Sequence, residues 1–173
     1  MRITTLLRSL LGLEETRVTD VNFDEVGLVV DVAPTWRRAR CSECGEQCPG
    51  YDRDHGRRWR HLDLAGMMLH LRYDTRRVAC PRCGVKVEQL PWAEPGSWFT
   101  QPFEDEVGYL AQRCDRTTVS SMMRVAWDTV GTIIQRVVGR RRDSTALEGL
   151  TRIGVDELSY RRHHEYILSL IHI

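Results

Sequence analysis

The sequence predicts an α+β chain: a short N-terminal helix and an antiparallel β unit, then a three-helix unit, then a final pair of strands. Three observations predict it. Residues 18–23, 28–32, 58–64 and 67–78 alternate or run apolar at the period of a strand, with turn residues between them. Residues 103–113, 117–123 and 127–138 place their apolar side chains at helical spacing. Residues 151–156 and 165–173 read again as strands, joined by a polar turn.

Each element has its own signal. Residues 2–12 form a short apolar helix. Asp24-Glu25-Val26-Gly27 is the turn of a first hairpin, and Ala65-Gly66 the turn of a second. Residues 36–40 are a short basic strand running into Cys41, and Cys80 follows the last strand at once. Residues 1–90 therefore make one domain, whose β unit carries two cysteine knuckles. Residues 91–102, with Pro91, Pro95 and Pro102, are a linker. Residues 103–142 are the helical domain, residues 139–150 a basic-to-polar connection, and residues 151–173 the start of a third part.

With 42% hydrophobic and 28% charged residues, the chain has the composition of a folded protein, not a disordered one. No apolar run reaches the roughly 18 residues that span a bilayer. The first residues, MRITTLLRSLLGLEE, lack the apolar core and cleavage site of a signal peptide, so a cytoplasmic location without membrane partners is expected. The net charge of +1 hides two basic blocks. Residues 36–86 hold twelve Arg/Lys against six Asp/Glu, and residues 124–142 five Arg against one Asp. Two basic surfaces on a nearly neutral chain suit a polyanion. All basic residues but Lys86 are arginine, which suits bidentate phosphate and guanine contacts, although a GC-rich genome also favours arginine.

Cys41-x2-Cys44 and Cys80-x2-Cys83 are each followed by glycine, as C-S-E-C-G and C-P-R-C-G. Two thiolates two residues apart grip one tetrahedral zinc ion from a tight turn. Two matched pairs in a β context read as a four-cysteine zinc ribbon rather than as a redox pair, and a reducing compartment disfavours disulfides. Zinc is thus the expected structural cofactor. Cys48 reads as a plain thiol and Cys114, at a helix end, as a packing residue. His55, His61 and His70 read as surface or packing residues rather than ligands.

Arg57, Arg58, Arg60, Arg72, Arg76 and Arg77 lie on the same β unit, interleaved with Trp36, Trp59 and Tyr73. Such a sheet can track a phosphate backbone, or can be a solvated face whose arginine stems cover apolar surface. The three helices fit a helix-turn-helix. The second begins with capping threonines, a turn follows at Arg124-Val125-Ala126, and the third opens on Trp127-Asp128 as a recognition helix. Asp128, Thr129 and Thr132 are candidates for base edges. Gln135, Arg136, Arg140, Arg141 and Arg142 are candidates for phosphates or further bases. Val119, Met122, Val130, Ile133 and Ile134 suit the core.

This order of parts resembles the ISL-three family of insertion-sequence transposases. The resemblance rests on C-S-E-C-G, R-R-W-R-H-L-D-L, C-P-R-C-G, V-A-W-D-T-V and I-G-V-D-E-L-S-Y, which together cover most of the chain. It implies binding of double-stranded DNA at terminal inverted repeats, self-association on DNA, and residence at the bacterial nucleoid. It also implies that residues 151–173 begin an RNase H-like DDE catalytic domain. In that domain Asp156 stands as the first metal-binding acid, with Mg²⁺ serving only in a full-length enzyme. Read without the family, I-G-V-D-E is an apolar strand ending in a carboxylate, a weak signal of a Mg²⁺ site. A two-metal site needs further acids downstream, and residues 168–173 (LSLIHI) depart from the family's pattern, so no strand cleavage or transfer is expected of this chain alone. The alternative is a standalone zinc-dependent DNA-binding transcription regulator. A weaker third reading is a zinc-ribbon module that binds protein.

Overall fold

The computed structural model describes residues 3–141, 153–161 and 165–172. The elements are α1 (Ile3–Leu11), β1 (Thr16–Asp24), β2 (Gly27–Pro34), β3 (Gly50–Leu64), β4 (Met67–Cys80), β5 (Gly84–Val87), α2 (Gln101–Leu110), α3 (Arg116–Met123), α4 (Trp127–Arg141), β6 (Ile153–Arg161) and β7 (Glu165–His172). Met1–Val137 form one compact unit and Val138–Ile173 a second, with the boundary inside α4.

In the first unit the sheet order is β1-β2-β4-β3, with β5 also paired to β4. The hairpins β1–β2 and β3–β4 are antiparallel as expected, but β2 runs parallel to β4, with Leu28 opposite Leu69 and Asp31 opposite Arg72. The unit is therefore antiparallel within its hairpins and parallel only where β2 meets β4. Parallel neighbours need a long crossover, and here residues 35–49 with β3 supply it. One core lies under this sheet, where Leu28, Val30, Val32, Trp59, Leu69 and Leu71 meet Leu11 of α1.

Trp92, from the proline-marked linker, is fully buried in that core, edge-on to Trp59 and Tyr73 at 5.8 and 5.5 Å between ring centroids. The connection thus also fills the core. It is tied down again where Arg60 N–H donates to Trp98 O at 2.9 Å and Thr100 N–H to Arg60 O at 3.0 Å.

Residues 36–40 are not a strand. They form bends, with one isolated bridge from Arg40 to Gln47, because the chain must turn there to enter the first knuckle. β3 begins eight residues earlier than its hydrophobic pattern, at Gly50. Its first half is exposed and polar and is held by backbone pairing with β4, which leaves no hydrophobic alternation to read.

The helical part has its own core of Phe103, Val107, Val119, Val130, Ile133 and Val137, with Cys114, Met123 and Ile134 packed against it. Met122, expected inside, is 59% exposed, and Met123 takes the inward place. The cap of α3 is not a threonine but Asp115, whose side chain accepts from the N–H groups of Thr117 and Thr118 at 3.0 Å each. Arg124, in the left-handed region at φ 53° and ψ 49°, ends α3 and turns the chain into α4.

In the second unit β6 and β7 form an antiparallel hairpin. β6 does not end at Asp156 but runs on to Arg161, and Asp156 pairs with Ser169 in mid-strand. Residues 168–172 lie paired in β7. Arg142 and most of the connection at 139–150 fall outside the described residues.

Candidate metal centre and nucleic-acid interface

The two knuckles come from different local folds. The first is a loop between two isolated bridges, Arg40 to Gln47 and Cys41 to Glu88. Within it Cys41 N–H donates to Glu46 O at 2.8 Å and Gly45 N–H to Cys41 O at 2.9 Å. The second is the tight turn of the β4–β5 hairpin, where Cys80 stands opposite Gly84. Gly45 (φ 72°) and Gly84 (φ 74°) both hold the left-handed backbone that lets the chain leave its second cysteine, which side-chain-bearing residues adopt reluctantly.

The four thiols meet. The sulfurs of Cys41, Cys44, Cys80 and Cys83 all lie within 4.8 Å of one another, and Cys44 Sγ is 3.6 Å from Cys80 Sγ. Zinc bound to four thiolates at about 2.3 Å sets its sulfurs about 3.8 Å apart. A disulfide would need about 2.05 Å, and all six cysteines are free thiols. The donor set therefore fits zinc. The N–H of Cys83, 3.4 Å from Cys80 Sγ, is the first cause that draws the Cys80 thiol down to about 6. Burial and the surrounding thiols push Cys83 up to about 12. Thiolates in such a cluster repel one another, and a divalent cation removes that repulsion.

Cys48 lies beside this group but outside it, bonded to Glu46 O at 3.4 Å, with burial raising its thiol to about 11. The histidines also stay outside. His55 pairs with Asp74 at 3.2 Å on the surface, and buried His61 meets Thr100 Oγ1 at 2.8 Å.

The arginines expected on phosphate have partners within the protein. Arg58 pairs with Asp24 at 2.7 Å, Arg77 with Asp52, and buried Arg60 with Asp63. Arg76 binds the buried carboxylate of Glu88 at 2.6 Å, and Arg72 binds Asp31 at 2.5 Å. Arg57 lies between the rings of Trp59 and Trp98, 5.1 and 4.6 Å from their centroids, and burial lowers its pKa. Sequence reasoning passed over Glu88 and Glu104, the two carboxylates fully buried among the described residues. For Glu104 a signal existed, since it shares the inward face of α2 with Phe103, Val107 and Gly108.

α4 buries Val130, Ile133 and Val137 and turns Asp128, Thr132 and Gln135 outward. Thr129 is half-buried beside Arg124, Val125 and Ala126. Arg136 points inward and donates to Glu104 Oε1 at 2.7 Å. Arg140 and Arg141 occupy the last turn of α4. Arg116 lies 3.4 Å from the Trp127 ring centroid and donates to Trp127 O at 2.8 Å, bracing the helix start. Arg124 ties this turn to the β3–β4 turn through Gly66 O at 3.2 Å and an ion pair with Asp63. The structure brings the four cysteines together and sets the α4 residues along one helix, but it does not gather the strand arginines into one free basic face. Asp156 lies on β6 of the second unit.

Four cysteines on two β turns, followed by three helices with a left-handed turn between the last two, define a zinc-ribbon, helix-turn-helix protein. Residues 37–83 match the zinc-finger of transposase IS204/IS1001/IS1096/IS1165, and residues 88–138 match the helix-turn-helix domain of transposase family ISL3. Both parts of the chain thus match domains of ISL3-family transposases. It is 39% identical, over 99% of its length, to the transposase for insertion sequence element IS1557 of Mycobacterium tuberculosis, in strains CDC 1551 / Oshkosh and ATCC 25618 / H37Rv. It is 26% identical, over 96% of its length, to the transposase for insertion sequence element IS1001 of Bordetella parapertussis. It spans 41% and 42% of these relatives' lengths. No solved structure matches it. No helix among the described residues is long and apolar enough to cross a membrane.

Proposed function

We propose that this chain is the DNA-binding part of a transposase, and that it recognises the terminal inverted repeats of its element. The observation that carries the reading is the outward line of Asp128, Thr132 and Gln135 along α4, over a helix whose other face is buried. Their spacing of four and three residues puts them on one helical face. Such a face can enter a major groove about 12 Å wide. Gln135 suits an adenine edge, Asp128 the amino group of cytosine, and Thr132 either a base or a methyl group. Arg140 and Arg141 follow on the same helix and suit the flanking phosphates.

Zinc, held by Cys41, Cys44, Cys80 and Cys83, would supply a fixed structural crosslink between the two knuckles. In a full-length enzyme Asp156 would be one Mg²⁺ ligand for cleavage and transfer of DNA strands, and self-association on DNA would pair two element ends. Residence in the cytoplasm at the nucleoid goes with this reading.

The test is binding of Gln135→Ala and Thr132→Ala to the element's own terminal duplex and to random duplex. Loss of a base contact weakens binding to the terminal duplex by about 1–3 kcal/mol and leaves random duplex unaffected. Equal loss on both duplexes would refute base reading by α4.

A further inference from the structure

Seven cations of the β unit are neutralised in place. Besides Arg58, Arg60, Arg72, Arg76 and Arg77, Arg82 pairs with Glu46 at 2.7 Å and Lys86 with Glu43 at 3.4 Å. Arg17, Arg37, Arg38 and Arg53 differ: none of them makes an ion pair among the described residues, and all four are exposed, Arg37 and Arg38 on bends and Arg17 and Arg53 on strands. These four line two depressions of about 490 and 360 Å³. Of these two, Arg38 lines the first, Arg17 and Arg53 the second, and Arg37 and Arg76 both, so the two adjoin. No carboxylate lines either one. Arg53 also borders a neighbouring depression that holds Asp31 and Asp74.

Arg76 explains how the basic loop is held there. Its charge is matched by Glu88, and its Nη1 donates to Arg37 O at 3.1 Å. The brace fixes the backbone and leaves the Arg37 and Arg38 side chains outside. Trp36 walls the second depression under the guanidinium of Arg40, 5.5 Å from its ring centroid, and Trp36 Nε1 has no hydrogen-bond partner among the described residues.

We propose that these two depressions form one groove for the phosphate backbone of duplex DNA, carried by Arg17, Arg37, Arg38 and Arg53 and containing no residue of α4. The inference rests on the DNA-binding reading above and adds a second contact to it. Guanidinium groups from β1, from the loop after β2 and from β3 are spread along two concavities, which suits a run of phosphates better than one anion. Unpaired arginines in a carboxylate-free wall give up no internal salt bridge when they bind.

The experiment measures affinity of the whole chain for a short random-sequence duplex against salt. It compares the parent with Arg37→Ala/Arg38→Ala, with Arg53→Ala, and with Arg77→Ala as an exposed but ion-paired control. Zinc content and thermal unfolding verify that each variant is folded. Each lost phosphate contact lowers the salt slope by about 0.9, so the double variant's affinity falls about 12-fold less than the parent's between roughly 50 and 200 mM salt. Arg77→Ala keeps the parent's slope. A double variant whose slope equals that of a binding parent overturns the groove and leaves the α4 reading intact. A control that loses as much as the double variant also overturns it, since bulk charge then explains the effect. A parent that binds no duplex at any salt overturns both readings.

Discussion

Arg136 of α4 donates from Nε to the fully buried carboxylate of Glu104 on α2 at 2.7 Å, and Ser97 Oγ donates to the same oxygen at 2.7 Å. One carboxylate therefore joins α2, α4 and the connection before α2. Removing Arg136 leaves a buried charge with fewer partners, so Arg136→Ala lowers stability by about 3 kcal/mol in urea unfolding. Glu104→Leu with Arg136→Met removes both charges and recovers most of that loss. Single and double variants of equal stability would deny the pair this role.

The same helices pack closely at Gly108, where a β-carbon would stand 2.9 Å from Val137 Cγ1. Gly108→Ala forces α2 and α4 apart and costs about 1–3 kcal/mol, read as a lowered melting temperature. Val137→Ala in the same chain relieves part of the cost. An unchanged melting temperature in Gly108→Ala would contradict this packing.

His61 gives stability a pH dependence. Burial first, then the Arg60 charge, lower it from 6.5 to about 4, against a backbone hydrogen bond with Leu11 that raises it. The folded chain thus binds the proton less well than the unfolded one. Its contribution is complete above about pH 6.5 and is lost as pH falls through about 4. His61→Asn, which keeps a polar partner for Thr100, flattens the unfolding free energy between these pH values. An unchanged slope would place the dependence elsewhere.

Zinc content separates the cysteines. Cys41, Cys44, Cys80 and Cys83 meet in one four-sulfur cluster, whereas Cys48 lies beside it as a fifth thiol and Cys114 packs in the helical core. Ser at any of the four lowers bound zinc well below one per chain and exposes the β4–β5 turn to protease, while Cys48→Ser and Cys114→Ser keep one zinc. Retention of full zinc by Cys44→Ser or Cys83→Ser would contradict the site.

The metal cluster was legible in the sequence because paired thiols two residues apart, each followed by glycine, leave few other uses for those residues. The helices were legible for a similar reason, since Val130, Ile133 and Val137 of α4 keep helical spacing and one buried face. The parallel pairing of β2 and β4 was not, because which strands become neighbours depends on contacts far apart in sequence. Proline content marked residues 91–102 as a connection, but nothing local shows that Trp92 drops between Trp59 and Tyr73. The arginines were the least legible. Arg76 and Arg37 look alike in sequence, and only the placement of Glu88 makes one a brace and leaves the other without an ion pair among the described residues.

Sequence-specific DNA binding by α4 is measured most directly as the affinity of this chain for its element's terminal duplex relative to random duplex at one moderate salt concentration. A preference of about 10³-fold or more for the terminal duplex is expected, as specific DNA-binding proteins show. Equal affinity for the two duplexes would contradict it.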